Sequence, residues 1–247
     1  MIGRMRSETG RPVALLLDFD GTIAPTDLTE GTFEALGTGS WRREWRDLAD
    51  RGLGSRGVLG GVIRFLPQDR DVLLAFALAV ELDPAAAPLI RAATRAGWAV
   101  EVLSDGLGLY VPPMLKRAAL DVPIRCADLV ATDGRLEMVT PWACRASTGG
   151  GHGCATCKVN AVQDHRAAGR TVVMVGDGRS DRRAAAVADI VYATGFLAEH
   201  CDSLGIAHRT WTQLADVLDD LVDRGALPDA AGEPMPVAAG PSSLSPG

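Results

Sequence analysis

The sequence predicts an α/β fold, a Rossmann-like doubly wound parallel sheet. Three observations lead to this prediction: short apolar runs that each end at a polar or glycine-rich turn, helical segments between them, and a length of 247 residues of which 47% are hydrophobic. Strands that alternate with helices form parallel sheets, because each crossover needs a segment long enough to return across the sheet. A chain of this length and composition can bury one substantial core.

Four apolar segments are typical of buried strands, since each is short and is followed by a polar or glycine-rich turn. They span residues 13–17, 99–103, 171–175 and 190–193. Two segments between them are typical of helices and end just before Gly97 and Gly169. We expect these helices over residues 84–96 and 158–168.

Two parts of the chain depart from this alternation. Residues 127–139 contain two extended runs around Asp133-Gly134, a dipeptide that favours tight hairpin turns, so we expect a β-hairpin added to the core. Residues 26–83 separate the first two strands and contain helix-like segments, which indicates an inserted helical cap. The predicted core then comprises residues 12–25 and 84–226, and the ends, 1–11 and 227–247, are expected to be disordered.

The charge and hydropathy patterns exclude several functional classes. The chain has 25 basic and 31 acidic residues with no long block of either sign, so nothing favours a nucleic-acid partner. The longest uncharged apolar run, residues 72–80, is far shorter than the ~20 residues of a membrane helix. The N-terminus lacks a secretory h-region, so we expect a soluble cytoplasmic protein without membrane partners.

A pair of carboxylates, Asp18 and Asp20, follows the first predicted strand. Asp18, ionised at neutral pH, can attack phosphorus and form an aspartyl-phosphate, which divides a slow hydrolysis into two steps. Asp20 can protonate the leaving alcohol and then deprotonate the attacking water. On its own, this pair is equally compatible with a solvated turn in which an Asp caps the backbone.

Two further turns offer groups that can hold a phosphate. Ser104, Asp105 and Gly106 follow the second strand, where a hydroxyl and free backbone N–H groups can bind phosphate oxygens. Lys158 opens a predicted helix, so its ammonium and the helix N-terminus would both attract phosphate. The only other lysine of the chain is Lys116. Each feature alone also fits an ordinary turn or a surface lysine.

Asp177 and Asp181 follow the third predicted strand and supply carboxylate oxygens, the ligands that a hard cation prefers. Asp177 together with Asp18 makes a sensible Mg²⁺ site, and Asp181 can bind a metal water or orient its neighbours. Because the phosphoryl group and its attacker are both negative, the reaction needs a cation between them. Mg²⁺ and Lys158 meet that need.

These four elements, in this order, resemble the haloacid dehalogenase superfamily across most of residues 13–211. The resemblance implies Asp18 as nucleophile, Asp20 as general acid/base and the Asp20 backbone carbonyl as a further metal ligand. The other roles that it implies are phosphate binding by Ser104, Gly106 and Lys158 and metal binding by Asp18, Asp20, Asp177 and Asp181. An acid at position 20 favours a phosphatase over a dehalogenase, since cleavage of a carbon–halogen bond produces no alcohol that must be protonated.

The insert between the first two motifs is similar to the type 1 cap of subfamily IB of this superfamily. Within that branch, the chain most resembles the methionine-salvage 2-hydroxy-3-keto-5-methylthiopentenyl-1-phosphate phosphatases, on the basis of Asp27, Cys126 and residues 65–67 and 144–158. This resemblance implies a phosphoric monoester hydrolase. Its substrate would be a small phosphorylated polyol, enol or sugar derivative.

Two other functions remain open from the sequence. A phosphomutase would use the same Asp18 and Asp20 but return the phosphoryl group to a sugar, and a catalytically silent domain would only bind. Five residues of the predicted cap are candidates for a substrate pocket, although tryptophans usually pack and arginines usually face solvent. They are Trp41, Arg42, Arg43, Trp45 and Arg64.

The five cysteines argue against a disulfide framework, because their number is odd and no export signal is present. Cys144, His152, Cys154 and Cys157 are candidate ligands for a structural Zn²⁺ that would pin the loop before Lys158. The alternatives are a redox-sensitive disulfide between Cys154 and Cys157 and reduced cysteines that only pack.

Overall fold

The computed structural model describes residues 11–145 and 151–228. The ends predicted to be disordered, 1–11 and 227–247, lie outside the described residues except for positions 11, 227 and 228. Eight strands are found in the described part of the chain. They are β1 (Val13–Asp18), β2 (Ala99–Ser104), β3 (Ile124–Cys126), β4 (Asp128–Thr132), β5 (Arg135–Val139), β6 (Thr171–Gly176), β7 (Ile190–Ala193) and β8 (Arg209–Thr210).

Six of the strands form one parallel sheet in the order β3-β2-β1-β6-β7-β8. The order reverses between β1 and β6, and the carboxyl ends of strands at such a switch point form a crevice in which α/β proteins bind ligands. Asp18 ends β1, Ser104 ends β2 and Gly176 ends β6. The residues predicted to carry the chemistry therefore share one edge of the sheet.

Helices cover both faces of the sheet. Along β1, Leu15 and Leu17 belong to one apolar cluster while Ala14 and Leu16 belong to another, which is the pattern of a strand that is buried on both sides. This arrangement confirms the predicted doubly wound α/β fold. The helices are α1 (Leu28–Leu36), α2 (Trp41–Asp50), α3 (Ser55–Val62), α4 (Arg70–Leu78), α5 (Ala86–Arg95), α6 (Val111–Arg117), α7 (Lys158–Ala167), α8 (Arg182–Ala185), α9 (Gly195–Leu204) and α10 (Leu214–Asp223).

The helices α1 to α4 lie between β1 and β2, within the segment expected to be an inserted helical cap. Their buried side chains, including Phe33, Trp41 and Leu73, belong to the same apolar cluster as Leu15 and Leu17 of the sheet. The insert therefore packs directly on the core. Its treatment as a separate cap of residues 26–83, with a core of 12–25 and 84–226, stays a prediction.

The predicted hairpin is confirmed: β4 and β5 pair antiparallel through a two-residue turn, apart from the main sheet. Both turn residues, Asp133 and Gly134, have positive φ angles of 50° and 74°, as a tight turn that matches strand twist requires. The strands β3 and β8 were not predicted, because runs of three and two residues carry too little periodicity. No helix within the described residues is long and apolar enough to cross a membrane.

Candidate active site

Asp18 is buried at the carboxyl end of β1, between β2 and β6. Its Oδ1 accepts a hydrogen bond from the backbone N–H of Phe19 at 2.7 Å and lies 2.6 Å from Nζ of Lys158. Asp177 and Asp181 come from the turn after β6 and place their carboxylate oxygens within 4.8 Å of that of Asp18. One sheet edge thus joins three carboxylates that are far apart in the sequence.

Gly21 allows this close approach. It has a φ of +76°, and a Cβ at this position would lie 2.2 Å from Oδ2 of Asp177, so any side chain would displace that carboxylate. The hydroxyl of Thr22 also donates a hydrogen bond to Oδ1 of Asp177, at 3.1 Å. The turn after β1 therefore both supplies Asp18 and positions Asp177.

Lys158, the first residue of α7, points its ammonium into this cluster and is almost completely buried. Besides its contact with Asp18, its Nζ donates to Oδ1 of Asp181 at 2.7 Å and to Oγ of Ser180 at 2.8 Å. Although burial lowers the pKa of Lys158, the two carboxylates outweigh this effect and raise it above its ordinary value. The ammonium is therefore charged at physiological pH.

One ammonium does not balance three carboxylates. Burial and the nearby Asp181 carboxylate raise the pKa of Asp18 well above its ordinary value, against the opposing effect of Lys158. The same two causes raise the pKa of Asp177 to about 6. The ordinary pKa assumed for Asp18 from the sequence is therefore wrong for this cluster without a cation. Three carboxylates with more negative charge than the ammonium neutralises are suited to bind a hard divalent cation such as Mg²⁺, which prefers oxygen ligands.

Asp20 is not part of the group formed by the other three carboxylates, and its hydrogen bonds join the end of β2 and the start of α1. Its Oδ1 accepts hydrogen bonds from the backbone N–H of Leu28 at 3.0 Å and from the Tyr110 hydroxyl at 3.3 Å, and its Oδ2 accepts one from Oγ of Ser104 at 3.1 Å. Burial, together with the Asp27 carboxylate, raises the pKa of Asp20 to about 7. A carboxyl group with such a pKa can both donate and accept a proton near neutral pH.

Ser104 and Gly106, predicted to bind phosphate, lie beside Asp20. Ser104 is completely buried at the end of β2, and its Oγ accepts a hydrogen bond from the backbone N–H of Gly106 at 3.3 Å. The structure thus brings two of the three predicted phosphate-binding residues, Ser104 and Gly106, together with the predicted acid/base. Their role in holding phosphate stays a prediction.

Comparison with known proteins identifies the family. The model of the haloacid dehalogenase-like hydrolases matches residues 15–186. The chain belongs to this family. The chain is similar to 2-hydroxy-3-keto-5-methylthiopentenyl-1-phosphate phosphatases from Exiguobacterium sibiricum (27% identical, covering 85% of this chain and 96% of the relative) and Brevibacillus brevis (24%, 84% and 94%).

Another relative is longer than this chain. The bifunctional enzyme MtnB/MtnX of Bacillus licheniformis is 25% identical over 84% of this chain, which spans 48% of that protein. Among solved structures, a substrate-bound phosphoserine phosphatase superposes with a TM-score of 0.64 at 17% identity, over 85% of this chain and 98% of that one. These findings confirm the predicted family and fold, and they support the predicted enzyme class, a phosphoric monoester hydrolase.

Several residues around the carboxylate site of this haloacid dehalogenase family member were not predicted from the sequence. Thr22 and Ser180 lie inside the recognised turns, so their sequence neighbours could have revealed them. Tyr110 and Thr29 gave no such signal, because their hydroxyls meet each other at 2.7 Å from positions 81 residues apart. Asp105 was noted but not assigned a role. Its Oδ1 accepts a hydrogen bond from the backbone N–H of Thr156 at 2.6 Å.

The candidate pocket residues of the insert do not gather at the carboxylates. Trp41 is buried against Phe33 and Trp45, with ring centroids 5.3 and 6.4 Å away respectively. The arginines lie on the surface: Arg42 pairs with Glu34, Arg64 pairs with Glu44 at 3.3 Å, and Arg43 is exposed. The interpretation of these residues as packing and solvent-facing groups fits the structure.

The predicted zinc ligands are brought together only in part. Cys144, His152 and Cys154 place their ligand atoms within 4.8 Å of one another, whereas Cys157 is not part of this group. Cys157 instead shares a side-chain hydrogen bond with Cys154. None of the cysteines forms a disulfide, so the predicted alternative of a Cys154–Cys157 bridge is absent from this structure.

Replacement of Lys158 should destabilise the fold, because its ammonium is the positive charge beside Asp18 and Asp181. We expect Lys158→Met to lower the free energy of unfolding by about 3 kcal/mol at pH 8 without divalent cations, because two buried carboxylates lose their partner. The loss should shrink at pH 6, because the raised pKa of Asp18 favours protonation of that carboxyl group as the pH falls. Lys116→Met, at an exposed position of α6, is the matched control. Urea unfolding of both variants measures the effect, and equal stability of the two would refute it.

The raised carboxyl pKa values predict an unusual pH dependence. Asp20 has a pKa of about 7, and Asp105 and Asp177 have values of about 6, against 3.8 in an unfolded chain. Between pH 3.8 and about 7 the folded state therefore binds more protons than the unfolded state. The free energy of unfolding thus falls as the pH rises through this range. Thermal unfolding without divalent cations should give a lower Tm at pH 7.5 than at pH 5. A Tm that rises over this range contradicts the prediction.

Proposed function

We propose that the protein is a Mg²⁺-dependent phosphatase that transfers the phosphoryl group of a small phosphomonoester to Asp18 and then to water. The observation that carries this proposal is the position of Asp18. Its carboxylate lies within 4.8 Å of those of Asp177 and Asp181, which can hold a cation with it, and 2.6 Å from the buried ammonium of Lys158, which can offset the charge of a phosphate. Membership of the haloacid dehalogenase family supports the same reading.

Asp18, Asp177 and Asp181 would hold the Mg²⁺, together with the backbone carbonyl of Asp20 that the family resemblance implies. When bound, the cation supplies positive charge that offsets repulsion between the carboxylate of Asp18 and the phosphate oxygens. Lys158 supplies a second positive charge beside the same carboxylate. Ser104 and the backbone N–H of Gly106 would bind the remaining phosphate oxygens.

The first step forms a bond between a carboxylate oxygen of Asp18 and phosphorus and breaks the bond from phosphorus to the ester oxygen. The leaving oxygen takes the electron pair of the broken bond and a proton from Asp20, and departs as an alcohol. Asp20 is suited to this because its pKa of about 7 leaves much of it protonated near neutral pH. Its hydrogen bonds with Leu28, Ser104 and Tyr110 fix its orientation.

In the second step, ionised Asp20 accepts a proton from a water molecule, whose oxygen attacks the aspartyl-phosphate. Phosphate leaves, the carboxylate of Asp18 is regenerated and Asp20 is again protonated. The cycle therefore balances with one water consumed and one alcohol and one phosphate released.

We infer that the helical insert acts as a cap that must move to admit substrate. Asp18, Lys158 and Asp181 are nearly inaccessible to solvent in this structure. Two hydrogen bonds join the insert to the loop before Lys158: the backbone N–H of Arg56 donates to the carbonyl of Gly153 at 2.9 Å, and Ser55 Oγ accepts from the backbone N–H of Ala155 at 2.9 Å.

The substrate class that we propose is a small phosphorylated enol, polyol or sugar derivative. The support is the similarity to phosphatases named for a phosphorylated keto-enol, at 24–27% identity over more than four fifths of this chain. Cytoplasmic location, predicted from the sequence, agrees with such a metabolite but stays a prediction.

A panel assay tests the proposal. Enol phosphates, phosphosugars, phosphoamino acids and phosphocholine are incubated with the protein, with and without Mg²⁺, and phosphate release is measured. We expect sustained release that depends on Mg²⁺. Slow release that requires a sugar bisphosphate would indicate a phosphomutase instead, and no release from any substrate would indicate a binding domain.

A further inference from the structure

A cluster of soft metal ligands lies outside the carboxylate site, in the segments that precede α7. The Sγ atoms of Cys144 and Cys154 and an imidazole nitrogen of His152 lie within 4.8 Å of one another, and all three residues are half-buried. Thiolates and imidazole are the ligands that Zn²⁺ prefers, whereas Mg²⁺ prefers oxygen. We propose that Cys144, His152 and Cys154 bind a structural Zn²⁺, with the neighbouring Cys157 as the fourth ligand.

A second, independent observation concerns His152. Its Nδ1 is shielded from solvent and has no hydrogen-bond partner among the residues that the structure describes. Buried polar nitrogens in proteins are nearly always hydrogen-bonded, so an orphaned one needs an explanation. A metal ion held between the imidazole and the two thiolates would explain it, because Nδ1 would then bind the metal and would need no hydrogen-bond donor.

The position of Cys144 is fixed by contacts with α7 that need no metal. The backbone N–H of Cys157 donates to the carbonyl of Trp142 at 2.8 Å, and the side-chain amide of Asn160 donates to the carbonyl of Ala143 at 3.0 Å. The guanidinium of Arg145 donates to the carbonyl of Asn160 at 3.2 Å. The segment that carries Cys144 is thus held against the start of α7, close to where Cys154 and Cys157 enter it.

The other side of the cluster is held by the helical insert. The carbonyl of Gly153, between His152 and Cys154, accepts the hydrogen bond from Arg56 described above. Gly54 packs so closely on the carbonyls of His152 and Gly153 that a Cβ there would lie 2.2 and 2.5 Å from their oxygens. The ligands are therefore positioned by two parts of the fold before a metal arrives, which is the condition for tight binding.

Cys157 completes four protein ligands, the number found in closed structural zinc sites. It is buried, lies three residues after Cys154 and already shares a hydrogen bond with the thiol of Cys154. Because Cys157 directly precedes Lys158, a metal ion bound here would fix the start of α7 and so the ammonium beside Asp18. It would also fix the loop against which the insert closes.

Metal analysis tests this site without reference to activity. Protein purified without chelators is analysed for zinc as the wild type and as Cys144→Ser, Cys154→Ser and His152→Ala. Cys126→Ser, a cysteine outside the cluster, is the matched control. We expect about one equivalent of zinc in the wild type and the control and less than about a tenth in Cys154→Ser and Cys144→Ser, given the tight binding of such sites. A wild type with less than a tenth of an equivalent, or a Cys154→Ser variant that keeps its zinc, overturns the proposal.

A second measurement covers the case in which the variants fail to fold. Zinc is removed from the wild type with a chelator, folding is checked by circular dichroism, and Co²⁺ is added. We expect a thiolate-to-cobalt charge-transfer band that saturates at about one equivalent and disappears when Zn²⁺ is added. If the folded, metal-free protein gives no such band, no thiolate site is present and the proposal fails.

Discussion

Asp18→Asn is expected to reduce turnover by about 10³-fold or more, the largest effect of any single substitution in this protein. A neutral amide cannot attack phosphorus, and the proposed cation loses one of its carboxylate ligands. The measurement is the rate of phosphate release at saturating substrate and Mg²⁺. Asp47→Asn, which neutralises an exposed carboxylate on α2, is the matched control and should leave the rate unchanged.

The same substitution should not weaken the fold. The raised pKa of Asp18 means that its negative charge is unfavourable in the cluster with Asp177 and Asp181. Asparagine keeps the shape and the hydrogen-bond acceptor for the backbone N–H of Phe19 without that charge. We therefore expect a Tm at or above that of the wild type in the absence of divalent cations. Near wild-type turnover in a well-folded Asp18→Asn variant would remove Asp18 from the role of nucleophile.

Asp20→Asn is expected to lower the rate by about 10²-fold or more with an alkyl phosphate and by much less with an activated aryl phosphate. An alkoxide is a poor leaving group and needs the proton of Asp20, whereas a nitrophenolate leaves without one. The comparison of kcat for the two substrates, each in the variant and the wild type, provides its own control. Equal losses with both substrates would contradict the assignment of Asp20 as the acid.

The core of the fold and the centre of the candidate site could be predicted because each depends on local patterns. The apolar runs that became β1, β2, β6 and β7 are four to six residues long and end at polar turns. In a parallel sheet these ends lie at one edge, so Asp18, Ser104 and Asp177 had to meet once the strands were recognised. Lys158 could be placed because it opens a helix that leads into β6.

The surroundings of the site could not be predicted, since they depend on contacts between distant segments. The hydrogen bonds that Asp20 accepts from Tyr110 and Ser104 span 90 and 84 residues of the chain, and no local pattern encodes them. The raised pKa of Asp18 could not be predicted for the same reason, because it results from burial in the fold and from Asp181, 163 residues away along the chain. The aromatic and charged residues of the insert were candidates for a substrate pocket. In the structure Trp41 packs against Phe33 and Arg64 pairs with Glu44, and these contacts depend on the three-dimensional packing of the insert.

The central claim is that the phosphoryl group passes through Asp18. The most direct test is to mix Asp20→Asn protein with an aryl phosphate and Mg²⁺, quench in acid within the first turnovers, and locate covalent phosphate by mass spectrometry of the digested chain. This variant forms the aspartyl-phosphate from an activated ester but lacks the base that hydrolyses it, so the intermediate should accumulate. We predict one phosphoryl group on the peptide that contains Asp18, and none in Asp18→Asn protein treated in the same way. Phosphate release without any phosphorylated peptide, or a phosphoryl group on another residue, would contradict the account.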